Sequence, residues 1–507
     1  MRTPRRIVID GNNLTIDDVL LVARAGASVV LSPGAKRRMQ SSRVWVENAV
    51  RNEEIIYGIT TGFGAFQNVS IAPDKLRDLQ RNLILSHCAG IGEPFGEEVV
   101  RAMMLLRANA LAKGFSGIRI STVERLLAML NKGVHPVVPS QGSVGASGDL
   151  APLSHMAAVL IGEGEAYYNG RKMSGGRAMK AAGITPVVLE AKEGIALNNG
   201  TQAMTALGVL ALVDAEQLAD VADIVAAMTL EAVKGKSAPF ATQVHITRPH
   251  AGQLVSARNI RSVIRGSKLL DRVDEDTREK VQDSYSLRCA PQVHGASRDA
   301  TVYVRRVIET EINSATDNPL IFADEGRSYS AGNFHGQPLA LALDFLGLAV
   351  AELGNISERR TAKLMDKHHS FGLPPFLVTD GGVRSGLMIA QYTAAALVSE
   401  NKVLIHPASG DSIPTSAHQE DHVSMGTIAG RQTREIVSNV QHILAIEAIC
   451  AAQGVECRNE QPGRGTARAL GKIRRIVRRL NGDRPLSHDI ENVAQLIRSG
   501  GLDILHA

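Results

Sequence analysis

The run Gly142-Ser143-Val144-Gly145-Ala146-Ser147-Gly148-Asp149-Leu150 separates two kinds of sequence in this chain. Three glycines and two serines in nine positions make a poor helix or strand interior. Fixing a glycine costs more backbone freedom than fixing any other residue. Directly afterwards comes Ala151-Pro152-Leu153-Ser154-His155, with a proline where a first helical turn tolerates one. The run therefore reads as a loop that feeds a helix. Within it, Ala146-Ser147-Gly148 is a tripeptide through which a backbone can cyclise. The Gly148 nitrogen can attack the Ala146 carbonyl carbon, because Gly148 has no β-carbon to block the approach. Loss of one water from the ring and another from Ser147 leaves an exocyclic methylene conjugated to a carbonyl. That product is an electrophile that no ordinary side chain supplies.

Downstream of the loop, helical periodicity takes over. Leu207, Leu210, Leu218, Val221, Ile224, Val225 and Met228 recur at helical spacing, and the pattern stops at Gly235 with Pro239 beyond. A second segment opens at Pro338 and runs through Leu341, Phe345, Leu348, Glu352 and Ile356. Further helices are expected from about Ser385 to Lys402, Ser424 to Ala452 and Thr466 to Leu480. Several are apolar on all sides, which predicts burial within a bundle or at a subunit interface. Upstream, Gly/Pro-rich loops at 58–64 and 133–148 break the pattern. No βαβ alternation and no Gly-x-Gly-x-x-Gly after a strand argue against a nucleotide fold. The expected fold is mostly α. A smaller, more irregular N-terminal part (1–200) carries the loop, and a long-helix bundle (201–507) forms the rest.

Composition agrees. An apolar fraction of 44% suits a large core, and aromatics at 4% leave that core to Ala, Leu, Val and Ile. The charge balance is 56 basic to 51 acidic residues, and much of the excess falls between Arg458 and Arg484. That stretch has no aromatics to stack on bases, and Ile473, Ile476, Val477 and Leu480 are spaced to face a core. It reads as a solvated helix face, with no nucleic-acid partner. Cys88, Cys289, Cys450 and Cys457 form no Cys-x-x-Cys pair and no disulfide framework. The N-terminus has no apolar core of signal-peptide length. Asp214, Asp220, Asp223 and Asp344 interrupt the most apolar stretches, so no membrane span is expected. The expectation is a cytoplasmic protein.

Other polar motifs can serve an electrophile. Tyr57-Gly58-Ile59-Thr60-Thr61-Gly62-Phe63-Gly64 can bend tightly around a ligand. Gln282-Asp283 precedes Tyr285-Ser286-Leu287-Arg288, and Arg288 suits a bidentate grip on a carboxylate. Asn199-Gly200-Thr201-Gln202 and Gly332-Asn333-Phe334-His335-Gly336 are two more. Thr316-Asp317-Asn318-Pro319 reads as turn and capping chemistry. His87, in Leu85-Ser86-His87, and Glu420, in Gln419-Glu420-Asp421-His422, offer polar contacts to a ring. His418 and His422 stand at i, i+4, but the zincin order His-Glu-x-x-His is absent, so no metal is expected.

Together these motifs resemble the histidine and aromatic amino-acid ammonia-lyases. That family forms a methylidene-imidazolone (MIO) from Ala-Ser-Gly in a Gly-Ser-Val-Gly-Ala-Ser-Gly-Asp-Leu-Ala-Pro-Leu context, which this chain matches without a gap. The resemblance implies a mostly helical subunit in a homotetramer whose active sites draw on three chains. It implies MIO from Ala146, Ser147 and Gly148, with no external cofactor. It makes Tyr57 the base and Arg288 the carboxylate anchor, with Asn199, Tyr285 and Phe334 beside the electrophile. A phenol with a pKa near ~10 needs positive charge or hydrogen-bond donors nearby to act as that base. Gln282, His87, Gln419 and Glu420 fall to substrate binding, and the last three have the histidine-lyase form. The implied reaction is elimination of ammonia from L-histidine. The alternative is a tyrosine or phenylalanine ammonia-lyase or a 2,3-aminomutase. The chain departs from the histidine pattern at Thr60, Asn198 and His418. Asn198 and His418 add polar groups beside site positions.

Overall fold

The computed structural model describes residues 6–271 and 281–505, with eighteen α-helices and nine short strands among them. The mostly helical expectation holds. The helix Gln202–Ala232 is buried along almost its whole length, as its apolar periphery predicts. The other expected long helices are Gln337–Met365, Met388–Leu404 and Gly426–Glu456. Two of these, Gln337–Met365 and Gly426–Glu456, are long and apolar enough to cross a membrane by length and composition alone. Their apolar windows are 67% and 72% buried within the protein, as core helices are.

Two compact units are present. The first comprises residues 1–210, 305–344 and 407–431, and the second 211–304, 345–406 and 432–507. Four of the five boundaries fall inside helices.

The first unit begins with an element the sequence did not signal. Strands Arg6–Ile9 and Ser28–Leu31 pair in parallel around the helix Ile16–Ala23. This is a single βαβ turn, too short to make a nucleotide fold. Thr15 and Asp18 start its helix with a reciprocal capping box. The helix Glu97–Ala112 runs through the unit with Arg101, Arg107 and Asn109 buried among its apolar residues. Strand Pro139–Gln141 leads straight into the 142–149 loop, and the helix Leu150–Leu160 leaves it with Pro152 in the first turn. The loop is thus held at both ends by regular structure.

The second unit buries charge in pairs. The aspartates that interrupt the apolar pattern near 220 are all engaged. Asp214 meets Arg434 at 2.6 Å, Asp220 meets Arg298 at 2.8 Å, and Asp223 meets Arg298 at 2.6 Å. His294 Nδ1 lies 2.8 Å from Asp223. Glu447 takes both Arg360 Nε and Nη2, at 2.6 and 2.8 Å. Arg474 pairs with Glu456 and Arg484 with Asp489, so part of the C-terminal basic excess is neutralised.

The last expected helix is shorter than its apolar spacing suggests. It spans Arg464–Arg474 rather than Thr466 to Leu480. Gln453 donates to the Leu480 carbonyl at 2.9 Å and accepts from its N–H at 3.1 Å. Those two bonds replace the helical ones. Ile473, Val477 and Leu480 still reach the core, while Ile476 is 41% exposed.

Candidate active site

The first unit holds a cavity of about 730 Å³. Its wall includes Tyr57, His87, Ser147, Asn198, Asn199 and Glu420. Five separate stretches of sequence thus meet in one place.

The Ala146-Ser147-Gly148 loop is clamped from two sides. On one side, Gly148 bridges Gly200, and the Asp149 N–H donates to the Gly200 carbonyl at 2.7 Å. Gly148 has φ +70°, and a Cβ there would lie 2.1 Å from the Gly200 oxygen. Only glycine fits. On the other side, the Met425 N–H donates to the Val144 carbonyl at 2.9 Å, and Ser424 Oγ to the Gly145 carbonyl at 3.1 Å. Ala146 packs against Val423 and Met425. Asp149 is fully buried and accepts from Ala203 N, Met204 N, Ser143 Oγ and Thr427 Oγ1. Ser147 alone of the tripeptide contributes to the cavity wall. A tripeptide turned tightly at a glycine, with its serine facing a cavity, fits the cyclised group.

Ser147 Oγ donates to Asn199 Oδ1 at 2.9 Å. Asn199 is held from behind, its Nδ2 reaching the Asn318 carbonyl at 3.2 Å and Asp317 Oδ1 at 3.4 Å. Asp317 in turn pairs with the fully buried Lys192 at 2.6 Å. Arg107 donates to the Asn199 carbonyl and to Gln202 Oε1, both at 2.8 Å. Asp317 therefore does more than turn and cap. Arg107 and Lys192 went unnoticed in the sequence. For Arg107 the one signal there is a cation set among apolar neighbours, and Lys192, beside Glu193, carries none.

The Tyr57 hydroxyl accepts from the Gly64 N–H at 3.3 Å, and the Phe63 ring meets Tyr57 edge-on. Burial pushes the phenol up, the Gly64 N–H opposes this, and Glu420 adds to it. This direction is the reverse of what a base needs. His87 closes the helix Leu76–His87, and burial pulls its imidazole below the usual range. Glu420 Oε2 accepts from Thr415 Oγ1 at 2.8 Å, within a bridge between the two backbones.

Several expected site residues lie elsewhere. Gln419 is absent from the wall and accepts from Gln67 at 3.0 Å. Phe334 is half-buried in the loop before Gln337–Met365 and is likewise absent. Gln282, Tyr285 and Arg288 belong to the second unit. There Tyr285 is 71% exposed, Arg288 lies 4.6 Å over its ring, and Arg288 Nε donates to the Asp283 carbonyl. Among the three departures, only Asn198 lines the cavity. Thr60 accepts from Ile56 N and donates to the Glu54 carbonyl, which ties its own turn. His418 is exposed. It and His422 share no helical face, because the chain is not helical between them. His422 stacks on His335 at 5.7 Å.

The sequence model described as "Aromatic amino acid lyase" matches residues 14–475. The chain belongs to the aromatic amino acid lyase family. A histidine ammonia-lyase of Caldanaerobacter subterraneus subsp. tengcongensis is 56% identical over 500 residues, covering 98% of each chain. The solved histidine ammonia-lyase of Trypanosoma cruzi is 43% identical with a TM-score of 0.91, covering 98% of this chain and 94% of that one. The tyrosine aminomutase of Streptomyces globisporus is 40% identical with a TM-score of 0.93, over 99% and 98%. The lyase fold is thus common to relatives with different substrates and outcomes. Discrimination must come from individual cavity residues.

Proposed function

We propose that this lyase eliminates ammonia from L-histidine to give trans-urocanate, using a methylidene-imidazolone formed from Ala146, Ser147 and Gly148. The observation that carries this reading is Ser147 in the wall of a cavity that also contains His87 and Glu420. Once formed, the cyclised group supplies an electrophile that makes the amine a leaving group. Asn199, anchored by Asp317 and Asn318, orients its amide oxygen toward residue 147. Tyr57 takes the β-proton at its phenolic oxygen. His87 and Glu420 bind the imidazole, and a buried partner lost there costs ~1–3 kcal/mol.

The cavity wall contains no lysine or arginine among the described residues, so those residues offer the substrate carboxylate no cation there. Our reading therefore includes a homotetramer with shared sites. Neighbouring subunits supply Arg288 to the carboxylate, and Gln282, Tyr285, Phe334 and Gln419 around the substrate. All four cysteines are free thiols, which supports a cytoplasmic setting.

A second reading, a tyrosine-directed lyase or 2,3-aminomutase, draws on Asn198. Its buried Oδ1 has no partner and belongs to a residue of the cavity wall, where a phenol hydroxyl could donate to it. Incubation of purified protein with histidine, tyrosine and phenylalanine, with products identified by chromatography, separates the two. Histidine turned over fastest, to urocanate, is expected. Faster conversion of tyrosine, or a β-amino acid from histidine, would contradict the proposal.

A further inference from the structure

Ser86 and His87, the last two residues of the helix Leu76–His87, both line the cavity. Ser86 Oγ is 3.1 Å from the Leu83 carbonyl and 3.0 Å from His87 Nδ1. A carbonyl can only accept, and a hydroxyl has one proton to give. These contacts are both hydrogen bonds only if Ser86 donates to Leu83 and His87 Nδ1 carries its own proton. His87 Nε2 is then a bare acceptor. Burial keeps the ring neutral at pH 7, against the opposing pull of the Leu83 carbonyl and Glu420.

Glu420 is the second acceptor. Thr415 occupies its Oε2, which leaves Oε1 for a ligand. Asn198 Oδ1 is a third acceptor, buried and unpartnered. Tyr57, His87 and Glu420 are the titratable side chains of the wall among the described residues. A neutral imidazole has one N–H and one lone pair, so it cannot satisfy two acceptors at once.

We infer, resting on the histidine reading above, that the cavity binds the substrate ring as an imidazolium, one N–H donated to His87 Nε2 and the other to Glu420 Oε1. The consequences reach the chemistry. A cationic ring withdraws electrons from the adjacent β-carbon and makes its proton easier to remove. It also brings to the cavity a positive charge that no described residue of the wall supplies. Glu420 is one of the two influences that push the Tyr57 phenol up, and a cation bound to Glu420 cancels it. The substrate thereby helps to activate its own base.

The test is the pH dependence of competitive inhibition in the full-length, cyclised enzyme. The probes are 3-(imidazol-4-yl)propanoate and 3-phenylpropanoate, which share a carboxylate and lack the amine. Above the ring's own pKa near ~6.5, Ki for the imidazole acid should climb with pH, approaching about tenfold per pH unit by roughly pH 8.5. Ki for the phenyl acid should stay level. In Glu420→Gln, whose amide can donate to a neutral ring nitrogen, the slope for the imidazole acid should flatten. An imidazole acid that binds better than the phenyl acid with a flat pH profile in the unsubstituted enzyme would overturn the inference and leave the histidine reading intact. An imidazole acid that binds no better than the phenyl acid at any pH would overturn both.

Discussion

Asp149 ties the reactive loop to the buried helix Gln202–Ala232. Its carboxylate accepts the N–H groups of Ala203 and Met204 at 2.8 and 2.9 Å, two of the orphan donors that open Gln202–Ala232. Burial outweighs these donors and pushes the acid up to about 6. The folded value lies above the unfolded one, so the contribution of Asp149 to stability is full below about pH 4. It is lost as pH rises toward 6. Asp149→Asn should therefore gain on the unsubstituted protein over that interval, by on the order of 2–3 kcal/mol. Urea denaturation of both proteins at a series of pH values checks this, and a constant difference would tell against it. At this scale the sequence was legible where chemistry sits in a motif. Tyr57, His87, Ser147, Asn199 and Glu420 all come from the quoted motifs, and all line one cavity. It was not legible where a role depends on distant pairing. Lys192 and Asp317 lie 125 positions apart, and nothing local in either identifies the other.

Long helices announced themselves because burial on all sides leaves an apolar periphery in the sequence, as in Gln202–Ala232. Their ends were harder to read. Beyond Arg474 the apolar spacing continues through Val477 and Leu480, but the backbone leaves the helix because Gln453 captures Leu480. Gln453 also donates to the Leu377 carbonyl at 3.3 Å. Gln453→Ala strands three backbone groups, and about 1–3 kcal/mol of stability should be lost. Amide exchange at Leu480 should rise as well. Unchanged exchange at Leu480 would show that the side chain does not hold this turn. Strands of two to four residues, such as His135–Pro136, are too short to show alternation. The N-terminal βαβ turn was missed for the same reason.

For the whole molecule, the division between motif-bearing and helical sequence does not translate into two continuous segments, since both units are assembled from separate stretches. A cavity wall with no lysine or arginine among the described residues makes the proposed assembly testable. Light scattering at assay concentration should give a tetramer. Tyr57→Phe and Arg288→Ala subunits, each inactive alone, should regain part of the activity when mixed and reassembled. A fully active monomer would exclude shared sites. The proposed chemistry depends most on Ala146, Ser147 and Gly148, and cyclisation changes the mass of the chain itself. Intact-protein mass spectrometry of active enzyme should give a value two water molecules below that of the sequence, with Ser147→Ala failing to reach it and losing activity by orders of magnitude. The full, unmodified mass in fully active protein would contradict the electrophile and the mechanism built on it.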